Sequence, residues 1–227
     1  MSQFTRKLLA TAAMLAAVGS ASAAYDITIN SVNHMPTPAV SEKVSINNGQ
    51  SYFSIFPVTY VANSSIGSFL TYCVELSQGT NLPSTFTFEQ TGDPFAFTAA
   101  QENSLSRLFQ AAGFQSGVAA PGAADTTAKQ VGLQLAVWDI MSDGSVDFTH
   151  GAFRVKTDNA GGVAYANSLW SAAQAINAAD VTYSVTKLYS RTSQDYVYVV
   201  PEPSTYALML AGIAGIGFIV RRRSRQA

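Results

Sequence analysis

Cysteine is almost missing from this chain: Cys73 is the only one in 227 residues. A lone cysteine excludes any intramolecular disulfide, so the thiol needs another explanation. Histidine is nearly as scarce, with His34 and His150 alone. No zinc-ligand spacing, glycine-rich phosphate loop or Ser-His-Asp signature occurs, and nothing calls for a cofactor or a resident metal. Charged residues make up only 12% of the sequence against 48% hydrophobic. That length and composition suffice for one folded domain with terminal segments, not for two generous domains. No internal repeat is visible.

The two ends are built unlike the middle. Arg6 and Lys7 precede the uncharged stretch Leu8–Val18, and Gly19-Ser20-Ala21-Ser22-Ala23 then offers the small residues that a signal peptidase reads. Leu8–Val18 has no polar face, which argues against an amphipathic first helix of the domain. Residues 1–23 therefore read as a signal peptide, with the mature chain starting near Ala24. At the other end Ser204–Val220 carries no charge and is followed by Arg221-Arg222-Arg223-Ser224-Arg225. As a helix the segment reaches about 25 Å, a little short of a ~30 Å hydrocarbon core, so it spans only with local thinning or help from its flanks. The arginines are expected to stay in the cytoplasm, which leaves the domain outside.

Just before that helix, Pro201 and Pro203 bracket Glu202. Two prolines hold this stretch extended and non-helical, exposing it to a processing enzyme where chain meets membrane. A Pro-Glu-Pro motif, a short hydrophobic helix and a basic end in this order resemble the PEP-CTERM sorting signal of Gram-negative bacteria, here over residues 201–227. The resemblance implies recognition by an exosortase-type membrane peptidase, a transient inner-membrane anchor, and delivery to the cell surface or exopolysaccharide matrix. Without the two ends the charge balance shifts: they hold six of the thirteen basic residues and one of the fourteen acidic ones, so residues 24–200 carry about −6. Such a surface does not suit nucleic acid.

Within residues 24–200, strands are expected near Tyr25–Ser31, Phe53–Val61, Ser68–Leu76 and Ser84–Glu89, each rich in aromatic or β-branched residues and bounded by turn formers. Thr98–Ala112, Thr126–Met141 and Gly161–Ala179 read as helices. Gly113–Ala124 is a loop between helices, and Ser190–Gln194 a polar turn. Val181–Tyr189 and Asp195–Val200 return to strand. The block order predicts an α+β domain, a mostly antiparallel sheet or barrel with an inserted helical subdomain.

Two short segments carry the candidate chemistry. In Phe69-Leu70-Thr71-Tyr72-Cys73-Val74-Glu75-Leu76, alternation puts Leu70, Tyr72, Val74 and Leu76 on one face and Thr71, Cys73 and Glu75 on the other, so Cys73 is expected on the more polar face. A small buried hydrophobe is the commoner fate of a free cysteine. On the second helix, Gln134 and Trp138 are four apart and share a face, beside an apolar stripe of Leu133, Val137 and Ile140. A glutamine among so many apolar residues needs a partner if it is buried.

Together, Tyr72-Cys73-Val74-Glu75 and Leu133-Gln134-Leu135-Ala136-Val137-Trp138 resemble the Cys-Gln thioester domains best known from surface adhesins of Gram-positive bacteria. The likeness covers roughly Phe53–Asp143. It implies that Cys73 supplies the sulfur and Gln134 the acyl carbon of an internal thioester, formed with loss of ammonia, with Tyr72, Ala136 and Trp138 supporting the bond. A thioester lacks the resonance of an amide, so an unprotonated amine on a surface or matrix partner can attack it and expel the sulfur. The expected function is single-use covalent adhesion, not enzymatic turnover. The alternative is a noncovalent exopolysaccharide or biofilm matrix protein with an unreactive Cys73. A Cys73/His150 catalytic pair is disfavoured, because a thiol nucleophile favours an electropositive helix N-terminus and Cys73 lies in a strand beside Glu75. Asp139, Asp143 and Asp147 around Gly144 lack the spacing of a calcium loop and fit a helix end and turn better.

Overall fold

The computed structural model describes residues 26–36, 39–46, 52–90, 92–117, 126–201 and 212–213. Both the signal peptide over residues 1–23 and nearly all of the 204–220 segment, with Arg221–Arg225, lie outside these. Among the described residues no helix is long and apolar enough to cross a membrane.

Among the described residues nine strands form two sheets. β1 (Asp26–Met35), β4 (Thr59–Ser64), β5 (Gly67–Cys73), β9 (Tyr196–Pro201), β8 (Tyr183–Tyr189) and β6 (Ser84–Phe88) close, in that order, into an antiparallel barrel. β2 (Glu42–Ser45) lies between β3 (Phe53–Ile55) and β7 (Arg154–Thr157) in a smaller sheet. Among the described residues three α-helices sit in the chain between β6 and β8: α1 (Ala99–Ala112), α2 (Thr127–Asp143) and α3 (Gly162–Ala175). The mixed architecture expected from block order is therefore present, as a six-stranded antiparallel barrel with an inserted helical group.

The helix ends follow local chemistry. Thr98 and Gln101 form a reciprocal capping box at the start of α1, and Gly113 closes it in the left-handed conformation at φ 64°. Thr126 caps α2 through the amide of Lys129, and Gly144 ends it at φ 77°. From Gln130 to Ile140 every residue of α2 is buried. A helix with apolar residues on all sides can satisfy them only at the centre of a packed group. α2 therefore lies between the barrel, α1 and α3. Gly132 makes the α2–α3 crossing close, since a Cβ there would collide with the Gly162 carbonyl.

Alternation along the barrel strands sends side chains to two different interiors. On one face Tyr72 meets Phe109 of α1 and Phe114, with ring centroids 6.1 and 5.0 Å apart. On the other face Phe86 and Tyr60 each pack against Tyr196, at 5.5 and 5.4 Å. β6 and β4 are not neighbours of β9, so these contacts cross the inside of the barrel.

Three expectations need correction. The single strand over Phe53–Val61 is two strands in different sheets, β3 and β4, because Pro57 interrupts the ladder between them. β2 and β7 were not anticipated: each is only four residues long, too short for alternation to register. The helix expected over Gly161–Ala179 ends at Ala175, and a separate 3-10 turn follows at Ala178–Asp180.

Candidate functional site

Cys73 is the last residue of β5, and there the strand loses one neighbour. Pairing of β4 with β5 ends at Tyr60 opposite Thr71, whereas β9 continues, with Tyr196 opposite Cys73 and Val74 N–H donating to Asp195 O at 3.1 Å. Val74 and Tyr72 thus direct their backbone groups to β9, and those of Cys73 point the other way, toward the place where β4 would continue. A buried N–H and C=O cannot be left without partners at low cost.

Gln134 supplies both partners. Its Nε2 donates to Cys73 O at 2.8 Å, and its Oε1 accepts from Cys73 N–H at 2.9 Å. The side-chain amide acts as one more residue of the β ladder, delivered from the buried centre of α2. Gln134 and Cys73 are each fully buried. The structure therefore brings together the two residues singled out from the sequence, although they are 61 positions apart.

The thiol itself points into the barrel. Its expected polar face is instead a closed interior, where Thr71 and Cys73 are completely buried and Tyr60, Phe86 and Tyr196 lie opposite. Closure of the sheet into a barrel covers a face that the sequence shows as mixed. Glu75 is past the end of β5 and leaves that face, accepting from Asp195 N–H at 3.3 Å. Burial pushes the Cys73 thiol well above the usual range, and a hydrogen bond from the Tyr60 hydroxyl opposes the shift only in part. Burial also raises the pKa of Tyr60 and of Tyr196.

The three residues expected to support the pair, Tyr72, Ala136 and Trp138, are all buried. The Tyr72 hydroxyl accepts from Thr59 Oγ1 at 2.7 Å, pinning β5 to the start of β4 from the helix side. Ala136 is buried within α2. Trp138, one turn beyond Gln134, is 4% exposed and packs on Phe153 at 6.3 Å, and its Nε1 has no hydrogen-bond partner. It also lines a cleft of about 520 Å³ together with Val58, Tyr60, Leu76 and Gln194. Cys73 and Gln134 do not line this cleft; Tyr60, diagonal to Cys73 across the β4–β5 pair, and Trp138, one turn after Gln134, are the wall residues nearest to them in the fold.

The other candidates are placed elsewhere. His150 sits on an exposed turn, hydrogen-bonded through Nδ1 to Asp147 and Thr149, and does not share the buried surroundings of Cys73. Asp139 accepts from Asp147 N–H, Asp143 from the amides of Ala152 and Phe153, and Asp147 from Thr149. These carboxylates tie down the turn after α2, and among the described residues no group of His, Cys, Asp or Glu is arranged to hold a metal. Tyr60 was not anticipated as part of the site. It reads as one aromatic of an ordinary strand, and the β4–β5 register, with Tyr60 opposite Thr71, sets it diagonally across from Cys73.

Beyond the barrel, residues 199–223 match the family description of a protein-sorting motif. The tail is a PEP-CTERM sorting signal. Val199–Pro201 form the end of β9, so the signal begins where the barrel's last strand leaves the domain. A chain carrying it is an exported protein, processed by an exosortase and anchored in the membrane before release to the cell surface or beyond. No curated protein and no solved structure matches the chain.

Proposed function

We propose that this exported domain is a covalent adhesin whose Cys73 and Gln134 form an internal thioester. The observation that carries the reading is the Gln134 carboxamide held on Cys73 by two hydrogen bonds of 2.8 and 2.9 Å. Attack of the Cys73 sulfur on the Gln134 amide carbon forms the C–S bond, breaks the C–N bond and releases the Nε2 nitrogen as ammonia, which also takes up the thiol proton. An unprotonated amine on a surface or matrix partner then attacks the same carbon, giving a stable amide and freeing the Cys73 thiol. Each domain acts once, so the role is attachment and not enzymatic turnover. A signal that moves the protein outward suits a bond that flow and washing cannot reverse.

A second reading has its own support. The Gln134 amide completes the hydrogen bonding of a strand end, and that alone accounts for a buried glutamine. Under this reading Cys73 is an inert core residue of a noncovalent matrix protein.

Intact mass of the purified, undenatured protein separates the two. The thioester makes the chain lighter by one ammonia, and methylamine then adds its own mass and exposes one alkylatable thiol. Cys73→Ala and Gln134→Ala each abolish the deficit. Full sequence mass with no amine-dependent change removes the thioester and leaves the matrix reading.

A further inference from the structure

We propose that Tyr60 is the residue that protonates the Cys73 sulfur when an amine opens the bond. The inference rests on the thioester reading and assigns the proton transfer of the same site.

The geometry gives Tyr60 contact with both sides of the reaction. Its backbone pairs with Thr71, two residues before Cys73, so its ring stands diagonally across from the sulfur on the barrel's inner face. Its ring packs on Tyr196, the residue directly opposite Cys73, with centroids 5.4 Å apart, and its hydroxyl acts on the Cys73 thiol as a hydrogen-bonding group. The same side chain forms part of the wall of the 520 Å³ cleft, with Val58 and Trp138. Tyr60 thus belongs both to the wall of the cleft and to the surroundings of the sulfur.

The hydroxyls continue outward. Thr80 is exposed and contacts Tyr196 Oη at 3.4 Å and Gln194 Oε1 at 3.2 Å, and its hydroxyl acts on Tyr60 as a hydrogen-bonding group as well. A run of polar groups therefore leads from solvent to the sulfur. Tyr196 sits directly opposite Cys73, but its hydroxyl meets Thr80. Glu75, whose charge acts on the thiol, has its Oε1 engaged by the Asp195 amide at 3.3 Å.

The chemistry requires such a donor. Cys73 is fully buried, so a bare thiolate would be expelled into an apolar interior without water to stabilise it. As the C–S bond breaks, the Tyr60 hydroxyl gives its proton to the sulfur and regains one through Thr80 from water. The attacking nitrogen loses one proton to water in the cleft. The products are an amide at Gln134, a neutral thiol at Cys73 and an unchanged Tyr60, with protons in balance.

Tyr60→Phe keeps the ring and deletes the hydroxyl. Methylamine opening is followed by intact mass in the wild-type and variant proteins, each first checked for the ammonia deficit. The expected result is the deficit in both, with opening slowed at least about tenfold in the variant, the low end of what a positioned proton donor contributes being nearer a hundredfold. A rate that falls in deuterium oxide for the wild type more than for the variant marks the proton step, which a packing role would not. If Tyr60→Phe does not acquire the deficit, Thr80→Val decides: slower opening supports the relay, and a wild-type rate overturns it. Equal rates in wild type and Tyr60→Phe, with the deficit in both, overturn the Tyr60 assignment alone. Wild-type protein at full sequence mass overturns the thioester and the role of Tyr60 with it.

Discussion

Gln134 can be tested as a structural element without interference from covalent chemistry by working in a Cys73→Ala background. That change removes the sulfur and keeps the backbone N–H and C=O of residue 73, to which Gln134 binds. Adding Gln134→Ala then strips both groups of their partners inside a fully buried site. Each unsatisfied buried group costs about 1–3 kcal/mol, so the pair costs about 2–6 kcal/mol. Against a total stability of about 5–15 kcal/mol the loss is readily measured. Gln134→Glu is more discriminating. A neutral carboxyl accepts from the N–H and donates to the C=O as the amide does, whereas a carboxylate has no hydrogen for the C=O. Burial therefore raises the folded-state pKa above the ~4.3 of an unfolded glutamate. The native state then keeps a proton that the unfolded state releases, so the variant is at its best below about pH 4.3. Above that it loses up to about 1.4 kcal/mol per pH unit until the folded pKa is passed. Urea unfolding of the three proteins from pH 4 to 8 reads both effects. A Gln134→Ala cost under about 0.5 kcal/mol, or a Gln134→Glu difference that does not change with pH, would refute the claim that this amide completes the strand.

Trp138→Ala should destabilise the domain by about 3–5 kcal/mol, as expected for loss of a large ring that is 4% exposed; a change near zero in denaturant unfolding would mean that the ring is not part of the core. Asp139 is held up to about 8, first by burial and then by Asp143. Its folded-state pKa is raised, so its contribution is fully present below the unfolded value of about 3.9 and declines as pH rises through about 8. Asp139→Asn should remove that slope, and a wild-type minus variant difference that stays level across this window contradicts the assignment. Protein collected from the cell surface should lack Arg221–Arg225, because the sorting signal spans residues 199–223; mass spectra of extracellular material retaining those arginines would count against processing.

Much of the domain was legible because its signals are local. Capping at Thr98 and Thr126, left-handed glycines at helix ends and apolar periodicity place α1 and α2 within a residue or two of expectation. Gln134 stood out because a carboxamide surrounded by apolar residues demands a partner. Short pieces carry no such pattern, which is why β2 and β7 were missed. The turn over Ser190–Gln194 was legible as a turn, but not that Ser193 is fully buried there beneath its neighbours.

What the sequence determined by itself is the itinerary: a charged and apolar leader is expected at one end, and the sorting tail at the other is read by processing enzymes as a linear string. It also determined that Leu70 and Tyr72 oppose Thr71 and Cys73, since alternation is a property of the strand alone. Only the tertiary structure decided what covers each face. Closing six strands into a barrel turned the more polar face of β5 into a buried interior around the thiol. Stopping the β4–β5 pairing at Thr71, two residues before Cys73, left two backbone groups that an amide from a distant helix had to satisfy. Both outcomes depend on contacts between segments far apart in the chain, and no local pattern encodes the partner that a strand's free edge will meet.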